Sequence, residues 1–77
     1  MSKLDEFTYK YKRMGLTIKQ CPHCRVFTVH EYKQGEYIDI YCPHGCGRAL
    51  TLNDGSMSDE EHITAAINNW NEGKWEQ

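Results

Sequence analysis

Four cysteines in two close pairs are the residues of this chain best suited to chemistry: Cys21-Pro22-His23-Cys24 and Cys42-Pro43-His44-Gly45-Cys46-Gly47. No other cysteines occur, and 17 residues, one hairpin's length, separate Cys24 from Cys42. Two thiolates a few residues apart wrap one side of a tetrahedral ion, and a hairpin brings a second pair round to the other side. The pattern predicts one structural Zn2+ held by Cys21, Cys24, Cys42 and Cys46. Such a closed shell leaves no position for water or substrate, so it would hold the fold and catalyse nothing. Two alternatives fit the same residues. An even cysteine count in a short chain also suits disulfides, and His44 could take the place of one thiolate, since shells of three cysteines and one histidine are common.

In each pair the proline presets a turn that aims backbone N–H groups at the sulfurs. A glycine usually follows the second cysteine, because the backbone there often takes positive φ. The first pair has Arg25 at that place. The second keeps Gly47, and its spacing is one residue longer, with Gly45 available to absorb the insertion. Arg25 and Arg48 each lie near a cysteine pair, where they would offset the charge of a tetrathiolate site or serve as ordinary surface charge. The chain has no Gly-rich phosphate loop, no nucleophile with a spare base and no H-E-x-x-H motif. An enzyme is not expected.

The elements that must position the pairs can be read in turn. Residues 2–14 fit a helix, with Leu4, Phe7, Tyr11 and Met14 on one face, Ser2 and Asp5 as a capping box and Gly15 past its end. They also fit a strand in which Phe7, Tyr9 and Tyr11 alternate with polar residues. The helix explains Ser2, Leu4 and Gly15 together and is the preferred reading. Leu16 to Gln20 alternates and predicts a short strand leading into the first pair. Val26 to Tyr32 predicts a strand, Lys33 to Glu36 a turn, and Tyr37 to Tyr41 a second strand with Ile38 and Ile40 on one face. Arg48 to Leu52 predicts a third antiparallel strand, ended by the turn cluster Asn53 to Ser56. Ser58 with Glu61 forms a capping box, and Ile63, Ala66, Ile67 and Trp70 recur at helical spacing before Gly73. Histidines 23, 30 and 62 are expected to be surface or boundary residues.

At 77 residues the chain is read as a single small α+β domain, a zinc ribbon whose sheet carries the C-terminal helix. Residues 1–20 form an N-terminal extension, 21–52 the ribbon and 58–72 the helix. A domain this size often needs a metal, a disulfide or a partner chain as a staple. The N-terminus has no apolar signal segment and no run is long enough to span a membrane, so a cytosolic protein is expected. In a reducing compartment four cysteines favour metal over disulfides. The net charge of −2 divides unevenly: residues 1–53 carry a net +3 and residues 54–77 a net −5. A non-specific nucleic-acid binder usually shows a dominant basic footprint, which this balance lacks.

Cys21-Pro22-His23-Cys24, Tyr37 to Cys42, Cys46-Gly47 and the helix with Ala66-Ile67-Asn68-Asn69-Trp70-Asn71 resemble the Lar-type restriction-alleviation family, small zinc-ribbon proteins of phages and prophages. The resemblance covers residues 21–71. This chain departs from the family pattern at Arg25, in the longer second pair and in the 20 residues before Cys21. The resemblance implies an accessory protein of a phage or mobile element, acting in the host cytosol on type I restriction–modification subunits. An alternative is a nucleic-acid-binding ribbon using Lys10, Lys12, Arg13, Lys19, Arg25 and Arg48, with tyrosines to stack on bases. Another is a phage inhibitor of host transcription or of a further defence. Trp75, in a polar tail, either folds back on the domain or meets a partner.

Overall fold

The computed structural model of the chain describes residues 6–75. Their order is α1 (Glu6–Arg13), β1 (Val29–Lys33), β2 (Tyr37–Tyr41), β3 (Arg48–Leu52) and α2 (Asp59–Asn71). The three strands form one antiparallel sheet in the order β1-β2-β3. With two helices and four clustered cysteines, this is the small α+β zinc-ribbon architecture.

The N-terminal segment is helical. Phe7 is buried, Tyr11 and Met14 pack against the core, and Tyr9, which a strand would have placed beside them, is 51% exposed. The proposed cap of Ser2 and Asp5, and Leu4, lie outside the described residues. Helices α1 and α2 end in the same way. Leu16 N–H donates to Tyr11 O (3.0 Å) and Gly15 N–H to Lys12 O (3.1 Å), while Lys74 N–H donates to Asn69 O (3.0 Å) and Gly73 N–H to Trp70 O (3.1 Å). Gly15 (φ 77°) and Gly73 (φ 78°) supply the left-handed residue that this double bond requires.

The predicted strand from Leu16 to Gln20 does not form. Its backbone groups are taken by side chains at the end of α2. Asn71 Nδ2 donates to Thr17 O, Lys19 N–H donates to Asn71 Oδ1, and Trp70 Nε1 donates to Lys19 O, each at 2.9 Å. The first ladder strand begins at Val29 and not at Val26, because Val26 O accepts the N–H of Cys21 in the first cysteine turn. The remaining elements lie where the pattern put them. Tyr37–Tyr41 pairs with β1 through Ile38↔Tyr32 and with β3 through Ile38↔Thr51.

Ile38, Ile40 and Ala49 from the sheet meet Ile63, Ala66, Ile67 and Trp70 from α2, all at most 2% exposed. Burial of each large side chain contributes about 1.5–3 kcal/mol. Ser58 starts α2 with a complete capping box: Glu61 N–H donates to Ser58 Oγ (3.2 Å) and Ser58 N–H to Glu61 Oε1 (2.9 Å). His62 is a correction to the boundary expectation. It is fully buried, with Nε2 donating to Thr51 O at 2.8 Å, and Nδ1 has no hydrogen-bond partner among the described residues.

A polar clamp joins α1, β1 and α2. Lys10 Nζ donates to Tyr32 Oη (3.0 Å) and Asp59 Oδ2 (2.9 Å), and Tyr32 Oη donates to Asp59 Oδ1 (2.6 Å). Asp59 therefore does more than cap α2.

Candidate metal centre

Each cysteine pair sits in a turn of six residues. In the first, Cys21 N–H donates to Val26 O (3.1 Å) and Arg25 N–H to Cys21 O (2.7 Å). In the second, Cys42 N–H donates to Gly47 O (3.1 Å) and Gly45 N–H to Cys42 O (2.9 Å). The same closing bond spans both turns, so the extra residue of the second is taken up inside it. The left-handed residue marks the difference. It is Arg25 (φ 57°) in the first turn, the only non-glycine with positive φ among the described residues, and Gly45 (φ 80°) in the second. Gly47 is not in that region, which corrects the reason expected for it. It stands against Trp75: a Cβ there would lie 2.5 Å from the indole Cε3.

These turns bring the four sulfurs together. Cys21, Cys24, Cys42 and Cys46 have all their Sγ atoms within 4.8 Å of one another. Cys24 Sγ is 3.3 Å from Cys42 Sγ and 3.8 Å from Cys46 Sγ. Sulfurs about 2.3 Å from a tetrahedral zinc stand about 3.8 Å apart, so the cluster fits a four-thiolate shell with slight adjustment. None of the four is in a disulfide. Cys21 and Cys42 are buried, Cys24 and Cys46 half-buried.

The thiols are electrostatically unequal. Burial opposes ionisation of Cys42, but backbone N–H groups of Cys46 and His44 and the thiols of Cys24 and Cys21 donate to it and bring its pKa down to about 6. The His44 N–H lies 3.3 Å from that sulfur. Hydrogen bonding with Cys21 and Cys42, then burial, pushes Cys46 up to about 12. Cys24 is raised by its bond to Cys42 and by burial. Cys42 is thus held below its ordinary range, while Cys24 and Cys46 are held above theirs. A metal cation bound there would displace thiol protons and take all four sulfurs as ligands. The His44 contribution is through its backbone; its imidazole is not in the cluster among the described residues.

The other candidate contact residues have particular neighbours. Lys10 is turned inward to Tyr32 and Asp59. Lys12 is exposed, and Arg13 stacks 5.5 Å over the exposed ring of Tyr9. Lys19 is exposed, with its backbone held by Asn71, and Arg25 is exposed at the first turn. Arg48 reaches the buried carboxylate of Asp39, with Nε 3.3 Å from Oδ1 and Nη2 bonded to Oδ2. Trp75 folds back: it stacks on Trp70 (4.3 Å, 16°), donates from Nε1 to Trp70 O (2.8 Å) and meets His23 edge-on at 6.0 Å. Sequence reasoning missed the Asp39–Arg48 pair. The diagonal placement of opposite charges on neighbouring strands was the signal that could have found it.

Comparison of the chain with protein-family models, with curated proteins and with solved structures finds no match in any of the three.

Proposed function

We propose that the chain is a non-catalytic accessory protein, a zinc-stapled ribbon that binds and modulates a host protein complex in the cytosol. Type I restriction–modification subunits are the first candidates for that complex. The observation that carries this reading is the closed cluster of Cys21, Cys24, Cys42 and Cys46. Four thiolates fill a tetrahedral shell, and an all-thiolate donor set suits Zn2+ in a structural role. With the metal committed to the fold, function falls to the surfaces that the metal fixes in place.

The residues that carry the family resemblance support a shared scaffold. Ala66, Ile67 and Trp70 are buried, Asn69 Nδ2 donates to Thr51 Oγ1 at 2.9 Å, and Asn71 ties down the segment before Cys21. The anti-restriction role follows from the resemblance and is tested directly. Unmodified phage should plate with higher efficiency on a type I-restricting host that expresses the protein, and tagged protein should retain a restriction–modification subunit from lysate. Unchanged plating together with recovery of nucleic acid alone would exclude the reading. No helix among the described residues is long and apolar enough to cross a membrane.

A further inference from the structure

Ile38, Ile40, Ala49 and Thr51 point toward α2, so strand alternation turns Val29, Glu31, Tyr41 and Leu50 to the opposite face of the sheet. No described element covers that face. Val29 is 39%, Leu50 37% and Leu52 67% exposed, and they border Tyr37 and Tyr41 on the central strand. Most exposed charges there are already matched: Arg48 with Asp39, and Lys33 with Glu36 at 3.3 Å. The Glu31 carboxylate has no ion pair or hydrogen bond among the described residues. In the ladder it stands directly opposite the carboxylate-bearing Asp39. Both residues line a cavity of about 410 Å³ whose wall includes Tyr41, Cys42, Gly45 and Arg48. Through Cys42 the cavity borders the metal centre, and a tetrathiolate shell around a divalent ion adds further negative charge.

Resting on the interaction-module reading above, we propose that this open face is the docking surface, and that its occupant is a short protein segment with one lysine or arginine between aliphatic side chains. The cation enters the cavity on the β1 side, beside Glu31, since the Arg48 guanidinium from β3 already sits 6.0 Å over the Tyr41 ring, and the aliphatic groups cover Val29, Leu50 and Leu52. Size selects a segment over a second copy of the chain. Three strands of five residues present about 14 Å by 17 Å of surface, well below the roughly 800 Å² per partner that a stable dimer buries. Charge selects against nucleic acid, because Arg48 matches Asp39 and the unmatched Glu31 carboxylate repels phosphate.

The test uses zinc-loaded, isotopically labelled full-length protein and two blocked nine-residue peptides. One has a central arginine flanked by valine and leucine; the other has glutamate in its place. The arginine peptide should shift the amide signals of Glu31, Tyr41 and Leu50. Its affinity should fall about tenfold or more for the glutamate peptide, and likewise for Glu31→Gln and Leu52→Asp. Both variants alter exposed side chains, and their unperturbed spectra away from the face verify folding. Equal affinity for both peptides, shifts centred on the acidic first turn of α2, or no shift at millimolar peptide would overturn the proposal. So would concentration-dependent self-association abolished by Leu52→Asp, which would give the face to a second copy. In lysate, capture of the same host subunit by wild type and Glu31→Arg would refute the face and leave the proposed function standing. Capture of no protein by wild type would remove the function itself, independently of the peptide result.

Discussion

The indole of Trp75 lies so close over Gly47 that a Cβ at position 47 would stand 2.5 Å from its Cε3 atom. Gly47 is also the residue whose carbonyl closes the second cysteine turn by accepting the Cys42 N–H. Trp75 meanwhile stacks on Trp70 at the end of α2 and reaches His23 in the first turn. The C-terminal tail, the helix and both cysteine turns therefore meet at one aromatic contact. This makes the tail a structural part of the ribbon.

Gly47→Ala should force the ring away or distort the turn. Overpacking of this kind costs about 1–3 kcal/mol. The zinc-loaded variant is expected to melt lower and to show altered tryptophan fluorescence. Adding Trp75→Ala removes the clash, so the double variant should lose less than the sum of the two single changes. An unchanged melting temperature and emission spectrum in Gly47→Ala would show that the contact does not form.

Metal removal should unfold the ribbon. The sheet contributes few large side chains of its own, and the two turns that hold the sulfurs meet at one end of it, where Tyr41 of β2 pairs with Val29 of β1 and Arg48 of β3. In a small metallo-domain the binding energy of the metal is folding energy. Purified protein is expected to hold one zinc per chain, and a strong chelator should collapse its amide dispersion. Replacing any one of the four cysteines with serine should do the same at ordinary zinc concentration. A native spectrum that survives chelation would contradict this account.

The parts of the fold legible in the sequence are those specified by neighbours in the chain. Tyr37–Tyr41 alternates, Ser58 and Glu61 cap their own helix, and Ile63, Ile67 and Trp70 mark one face of it. The cysteine cluster was legible for the same reason, since each half closes within six residues. What could not be read depends on distant partners. Leu16 to Gln20 has strand character, but Asn71, more than fifty residues away, takes its backbone groups first. Val26 belongs to a turn because of Cys21, and Asp39 is buried because Arg48 reaches it. His62 is polar by type, and only the Thr51 carbonyl makes its burial tolerable.

The clamp of Lys10, Tyr32 and Asp59 predicts a signature at alkaline pH. Burial and the hydrogen bond to Asp59 raise the Tyr32 pKa, with Lys10 opposing. Hydrogen bonds to Tyr32 and Asp59 raise Lys10 above its usual range despite some burial. Groups whose folded pKa is raised contribute stability that is full below the unfolded value, about 10 for both, and lost as pH rises through the folded one. For Asp59, burial works against ionisation, but Tyr32 and Lys10 hold its pKa below normal. Its contribution is therefore present above about pH 4 and lost below, where protonation of the thiols also releases metal. The alkaline limb is the one to measure. The Tyr32 ring carbon should titrate later than an exposed tyrosine, and Asp59→Asn should bring it down and cost about 1.5–3 kcal/mol at neutral pH. A Tyr32 titration unchanged by Asp59→Asn would show that the clamp is absent in solution.

Arg25 gives the clearest case of a residue working against its local backbone. Its φ of 57° lies in the left-handed region, which an L side chain occupies at a cost of about 1–2 kcal/mol. The first turn holds it there through the bond from its own N–H to Cys21 O at 2.7 Å. Glycine removes the steric cost but adds freedom to the unfolded chain, so the net gain should be about 1 kcal/mol. Arg25→Gly is thus expected to raise the melting temperature of the zinc-loaded protein by about 4–8 °C. Arg25→Val, with a branched Cβ that the left-handed region disfavours strongly, should lower it. Both must be compared at one fixed free zinc concentration, because metal binding itself shifts the midpoint. Equal melting temperatures for the glycine and valine variants would mean that residue 25 is not left-handed in solution. The six-residue turn around Cys21 and Cys24 would then have to close by another route.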